Sequence, residues 1–499
     1  MTINNKKVVY DVHRALVFQG GGSLGAYEAG AYKDINEELS QYLKKEGRGN
    51  EPIFHIIAGT SIGAINAAIL VSYVKENKTW EGSGERLVEF WEYLSTQSWV
   101  DNIPHFTNYW DCWRRLDKRI ASGESARRYF STKEFILTGV PKVFVPKRPV
   151  ADNRFFDPLN TWYIYDNKPL KESLEKFANF PISTNFENGE PRLLLVAVDI
   201  QEASPVVFDS YEKEDGTRKT GYGRYGIMKS SISDNDAQND EEFEHIIRYE
   251  DGIKSDFVLA SCSVPVNFDY TRLNVENNTL SSVWQSKYGD GINTKQPNSP
   301  PNGSTSVRFF WDGGLLANTP LRQTYLAHKQ YWRRVRKVEE NIPKLRFGII
   351  NLHPIKQEYL PSDYDGVIDR KNDIIYHDRT EFDENVAVLM SDLATLAKFL
   401  ITLAEKNGVN KKAIQEILNK STRGASLSTG KQEKYDDLLR NIVDVDFVAR
   451  LERKNDNHTI SNKTFDFSKT TIRQLIQDGY EETKEQMKGV VMGDIEKPR

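Results

Sequence analysis

Residues 56–70 read IIAGTSIGAINAAIL. An apolar run from Ile56 to Ala58 meets Gly59, then Ser61, then Gly63, and then an apolar stretch of helical character. Glycines two places either side of a serine allow a bend too sharp for ordinary side chains, at a cost in chain entropy. The order strand, serine turn, helix is therefore expected here. The same order stands just upstream: RALVF (14–18), QGGGSLG (19–25), then AYEAGAYKDINEELSQYLKK (26–45), in which Tyr27, Ala31, Ile35 and Leu39 recur near helical spacing. Strands alternating with helices predict an α/β fold, a three-layer sandwich with a mainly parallel central sheet flanked by helices.

That rhythm breaks after residue 75. Residues 76–190 are rich in aromatic and basic side chains, as in FTNYWDCWRRL, and read as a mostly helical insertion able to cover a site. PRLLLVAVDI (191–200) resumes the sheet and SPVVFDS (204–210) supplies the next edge. Residues 211–250, with the charged run SDNDAQNDEEFE, read as a solvated loop, and 275–306 as a second long loop. Between them DFVLASCSVPVNF (256–268) reads as a helix and a turn. VRFFWDGG (307–314) is a strand running into a turn, and LRFGIINLHP (345–354) is expected to be the last strand of the sheet. Beyond residue 356 the chain is charged and helical. Ser468 is suited to cap a final helix whose Ile472, Leu475, Ile476 and Tyr480 share one face, expected to pack back onto the core.

Composition narrows the function classes. The chain is 38% hydrophobic and 28% charged, and its formal net charge of −4 gives no footprint for nucleic acid. Cys112 and Cys262 are its two cysteines, which argues against a disulfide framework and for a reducing compartment, the cytoplasm. No signal-peptide core opens the sequence. The best apolar run, Ala64 to Val74, is too short for a membrane span, so no transmembrane helix is expected. The eight histidines form neither an H-x-x-x-H pair nor a cluster with cysteine, so neither metal nor cofactor is expected.

Gly59 to Gly63 matches the G-x-S-x-G turn that lifts a nucleophilic serine clear of its neighbours. The helix that follows points its positive end at Ser61. An activated serine also needs donors for the developing oxyanion, and a base. Backbone amides of Gly21, Gly22 and Ser23 are candidate donors, since that loop also joins a strand to a helix. The same loop satisfies G-x-G-x-x-G through Gly20, Gly22 and Gly25, so a nucleotide-binding α/β protein is an alternative reading. The second strand, however, ends HIIAGTS without the carboxylate that would hold a ribose. For the base, two candidates stand: His353 as part of a triad, or Asp312, which ends a strand and is followed by Gly313 and Gly314.

GGGSLG, GTSIG and DGG, in that order over residues 14–325, resemble the patatin-like phospholipase family, and DFVLASCSVPVNF resembles the segment that precedes the family's aspartate. The resemblance implies a serine–aspartate dyad without histidine. Ser61 is then the nucleophile in its Gly59/Gly63 elbow, and Asp312 the general base beside Gly313 and Gly314. The loop Gly20, Gly21, Gly22, Ser23 and Gly25 is the oxyanion hole. It implies a hydrolase domain over 14–325 with the insertion at about 76–190. Residues 326–499 then supply the last core strand and a helical extension. The implied activity is hydrolysis of lipid or other carboxylic esters, with a catalytically inactive relative as the remaining possibility. Where many members carry Lys or Arg in the glycine loop this chain has Leu24, so that cation's help with a phosphate headgroup is absent. Trp110, Trp113, Arg114, Arg115, Phe155 and Trp162 of the insertion offer a peripheral membrane contact or an acyl pocket, against the plainer role of filling a core. Oligomeric state is not indicated.

Overall fold

The computed structural model describes the chain except residues 1–9, 119, 148–161, 214, 223–242, 280–303, 339–341, 358–359, 426–431, 441, 455–459 and 490–499. Its centre is a sheet of ten strands. In chain order these are β1 (Val12–Phe18), β2 (Ile56–Thr60), β3 (Arg192–Asp199), β4 (Ser204–Asp209), β5 (Gly221–Tyr222), β6 (Phe243–Ile246), β7 (Thr271–Thr279), β8 (Ser304–Asp312), β9 (Lys344–Asn351) and β10 (Val445–Glu452). Across the sheet the order is β10-β9-β1-β2-β3-β8-β7-β6, with β4 and β5 branching from β3. From β10 to β3 neighbouring strands run parallel. Strands β4 and β8 both meet β3 antiparallel. The parallel strands are apolar on both faces, as a sheet covered twice requires: every residue of β2 and β3 is buried.

One detail of register positions the site. Along one edge of β3, β2 pairs Ile56 to Thr60 with Arg192 to Val196. On the next rung β8 arrives from the opposite direction and pairs Asp312 with Ala197. The two strands thus abut end to end on β3, and the residue after Thr60 faces the end of β8.

Helices α1 (Gly25–Lys45) and α2 (Ile62–Asn77) follow β1 and β2. The final helix, α3 (Lys469–Gly489), crosses α1 at backbone contact. A Cβ at Gly30 would lie 1.9 Å from the Ile476 carbonyl oxygen, and one at Gly479 would lie 2.1 Å from that of Tyr27. Ser468 caps α3, its hydroxyl accepting from the Thr471 amide at 3.4 Å. Ile472 and Leu475 are buried, and the Tyr480 hydroxyl donates to Glu37.

Four sequence expectations are corrected. LRFGIINLHP is not the sheet's last strand, because VDFVARLE in the tail forms β10 beyond it. Its charges alternate with apolar groups, which disguised a strand pairing on one side with β9. Residues 275–279 and 304–306 are not loop but parts of β7 and β8, paired with each other; the rest of that stretch lies outside the described residues. In the polar segment 211–250, Gly221–Tyr222 and Phe243–Ile246 are strands, while most of the acidic run lies outside the described residues. Finally, one helical stretch among the described residues, Tyr364–Lys406, is long and apolar enough by length and composition to cross a membrane. A break after Tyr376 divides it into two helices, Tyr364–Tyr376 and Glu381–Lys406. The stretch 76–190 carries helices at Ser83–Leu94, Phe106–Leu116, Gly123–Thr138 and Lys168–Phe177, together with two short paired strands, Val145–Pro146 and Tyr163–Asp166.

Candidate active site

Ser61 stands at the carboxyl end of β2, with φ 55 and ψ −128. A positive φ is strained for a residue with a side chain and is retained only where the surroundings impose it. Here they do. A Cβ at Gly59 would fall 2.2 Å from the Gly63 carbonyl oxygen, and one at Gly63 would fall 2.6 Å from that of Gln19, so larger side chains cannot enter the bend. The Ser61 amide donates to Ser261 Oγ at 2.9 Å, and Ser261 Oγ donates to the Val196 carbonyl at 2.6 Å. The Cys262 thiol donates to the Ser61 carbonyl. The segment DFVLASC thus pins the serine's backbone from behind, and the residue is half-buried.

Asp312 is buried, 4% exposed. Its Oδ1 accepts from the Gly314 amide at 2.7 Å, while Oδ2 has no hydrogen-bond partner among the described residues. Burial pushes the carboxyl up to about 7, against a smaller pull downward from the Ser61 side chain and the Gly314 amide. No cation pairs with it among the described residues, so desolvation wins. Gly313 is required by packing: a Cβ there would sit 2.2 Å from the Val196 carbonyl oxygen.

The glycine loop lies against the serine. A Cβ at Gly20 would come 2.9 Å from Ser61 Cβ. The amides of this loop are not equivalent. Gly20 N–H donates to Asn318 Oδ1 at 3.1 Å, and Gly25 N–H is used inside the turn by Gly22 and Ser23 carbonyls. Ser23 turns its hydroxyl away, to the Lys463 carbonyl. The amides of Gly21, Gly22 and Ser23 have no backbone acceptor among the described residues, so all three stand as candidate donors. Gly22 has φ +57 and touches Thr464, which leaves no room for a side chain.

His353 serves the loop rather than the serine. Its Nε2 lies 3.2 Å from the Gly20 carbonyl and its Nδ1 lies 3.0 Å from Asp373 Oδ1. Lys463 Nζ reaches both oxygens of Asp373 at 2.7 and 2.9 Å. Burial holds the imidazole below its ordinary range, with Asp373 pulling the other way. Gln19 adds a tie: its amide accepts from Leu352 N–H and donates to Thr319 Oγ1. Sequence reasoning missed Ser261, Asn318, Asp373 and Lys463. Asn318 follows Asp312 within one turn-forming segment and was findable. Lys463 and Asp373 stood in a charged tail with nothing local to single them out.

The insertion's aromatics divide. Trp113 is 47% exposed and Trp162 41%, whereas Trp110 packs with Phe106 and Phe130; Phe155 lies outside the described residues.

A mixed sheet whose strands run parallel from β10 to β3, with a strained serine at the carboxyl edge and a buried carboxyl on the next rung, defines an α/β protein. The chain belongs to the patatin-like phospholipase family, whose model matches residues 16–325. No curated protein matches it in sequence. Among solved structures, it is similar to VipD from Legionella pneumophila at 11% identity and a TM-score of 0.25, covering 96% of this chain and 67% of that one. It is also similar to human GIVD cytosolic phospholipase A2 at 10% identity and a TM-score of 0.31; the match covers 96% of this chain and 62% of the human chain. Likeness at that level carries no argument about activity.

Proposed function

We propose that this protein is a lipid acyl hydrolase that cleaves carboxylic esters through an acyl-serine. Asp312, ionised, takes the proton from Ser61 Oγ as that oxygen attacks the ester carbonyl. The Gly21, Gly22 and Ser23 amides, with the start of α2, stabilise the tetrahedral oxyanion. The intermediate collapses by expelling the alcohol, which receives its proton from Asp312. Water, deprotonated in turn by Asp312, then releases the acid.

The single observation that carries this reading is the buried Asp312 carboxyl, raised to about 7 on the rung next to a strained serine. A base held near neutrality accepts a proton in the attack and returns it without a large mismatch. Exposed Tyr109, Trp113 and Leu116 on the helix Phe106–Leu116 support peripheral contact with a lipid surface. The domain division at about residue 325 belongs to the same proposal, with β9 and β10 of the C-terminal part completing the hydrolase sheet.

Labelling with a fluorophosphonate, alongside turnover of p-nitrophenyl esters and defined phospholipids, tests the proposal. Wild type is expected to label and turn over, and Ser61→Ala to do neither while melting normally. Undiminished esterase activity in Ser61→Ala would overturn it. Equilibrium dialysis against adenine and nicotinamide nucleotides tests the alternative use of the glycine loop.

A further inference from the structure

The helix Glu381–Lys406, here α4, is attached to the sheet by one side only. Ser391 Oγ donates to Asp444 at 2.8 Å, Arg450 donates to Glu384 at 2.6 Å, and Ala394 is buried. The opposite side is bare among the described residues. Phe382, Val386, Leu389, Leu393, Leu396, Leu400 and Leu403 are each between 41% and 75% exposed. Their spacing alternates four and three without a break, the repeat of a helix that packs along another helix. Small Ala397 and Ala404 flank the stripe on one side, where a second backbone would approach.

We propose that this stripe is the interface of a symmetric dimer, in which α4 of one copy packs antiparallel against α4 of a second copy. The charges choose both the partner and its direction. The first turn of α4 is acidic, with Glu381, Asp383 and Glu384, the last of them held by Arg450; its end carries Lys406, with Lys412 beyond, while Glu405 is paired with Lys411. Antiparallel packing sets each acidic end beside a basic one, and opposes the two helix dipoles favourably. A parallel pair would set acid on acid. The antiparallel register that fills the stripe places Val386 opposite Leu403, Leu389 opposite Leu400 and Leu393 opposite Leu396 of the second copy. Each contact occurs twice, as a two-fold axis demands.

A lipid surface fits this face less well. Helices that lie on bilayers gather Lys and Arg along their polar margin, whereas the margins here hold Asp383 and Asp392. Spanning a membrane would carry Asp392 and Lys398 into hydrocarbon and break the ties from Ser391 and Glu384 to β10 and its approach.

Sedimentation velocity of the full chain over a hundredfold concentration range tests the proposal. Wild type is expected to populate a dimer, and Leu393→Glu/Leu396→Glu to stay monomeric with unchanged circular dichroism. Should that double variant misfold, surface charges provide the second measurement. Glu381→Lys/Asp383→Lys is expected to weaken the dimer at least tenfold, and adding Lys406→Glu to restore it; a parallel pair would show no rescue. On a Cys112→Ser background, Val386→Cys/Leu403→Cys is expected to oxidise to a covalent dimer. A wild-type chain that is monomeric throughout would overturn the inference. So would one that floats with phosphatidylcholine vesicles in a manner lost in Leu393→Glu/Leu396→Glu.

Discussion

The proposed mechanism asks Asp312 to do two opposed things, to remain buried and to carry charge. Its carboxyl sits at about 7 when folded, against an ordinary 3.8. Only the ionised form can take the serine proton, so ester turnover is expected to rise with pH and level off above about 7. A kcat/KM profile flat from pH 5 to 8 would remove Asp312 from the reaction. The same shift has a stability sign. A raised carboxyl favours the folded state while protonated, and that contribution disappears as pH climbs through 7. Asp312→Asn is therefore expected to lower kcat by roughly 10²–10⁴ and yet to raise the melting temperature at pH 8 more than at pH 5. Each pKa unit is worth about 1.4 kcal/mol, and neighbouring hydrogen bonds reduce the gain. Ser61 tells a parallel story through its φ of 55. Ser61→Gly is expected to be more stable than Ser61→Ala by about 1 kcal/mol in urea titrations, both being inactive. The residues that do the proposed chemistry were legible because glycine patterns mark them: Gly59, Gly63, Gly313 and Gly314 each sit where a Cβ would strike backbone or a neighbouring side chain. His353 was legible as important but not in its place, because its partners, Gly20 and Asp373, come from distant parts of the chain.

The elements show the same division between local and remote information. The strand–turn–helix units of β1–α1 and β2–α2, and the amphipathic face of α3, follow from spacing and were readable. The crossing of α3 over α1 was not, since Gly30 and Gly479 are ordinary helix residues until each meets the other helix's backbone. Gly479→Leu is expected to destabilise the protein by about 3 kcal/mol, in line with forcing extra volume into a packed contact. Gly49→Ala, whose nearest neighbour is 3.4 Å away on Lys44, is expected to change little. Chemical denaturation of the two variants compares them directly. Strands β7 and β10 escaped notice because Asn, Thr and Glu in the first, and Asp and Arg in the second, resemble loop or helix composition. What holds them is pairing with β8 and β9, which no short window contains.

At the scale of the molecule, the end of the sheet opposite Ser61 gathers His13, His55 and His328. His13 joins the other two: it stacks on His55 with centroids 4.1 Å apart, and lies 5.4 Å from His328. Burial holds all three below the ordinary imidazole range, His328 at about 3. The folded protein keeps them neutral, while the unfolded chain takes up protons below about 6.5. Stability is therefore expected to be complete above that pH and to fall as pH drops from 6.5 towards 3, by up to ~1.4 kcal/mol per histidine per pH unit. Urea midpoints at pH 7.5 and 5 measure the fall, and an unchanged midpoint would show that the cluster is accessible to protons when folded.

The end-to-end meeting of β2 and β8 on β3 has a consequence for how the chain comes into being. During synthesis the oxygen of Ser61 emerges well before its proposed proton acceptor, Asp312. Until β8 docks against β3, the nascent chain holds a trigger without a firing pin, so the proposed chemistry is withheld by the order of threading alone.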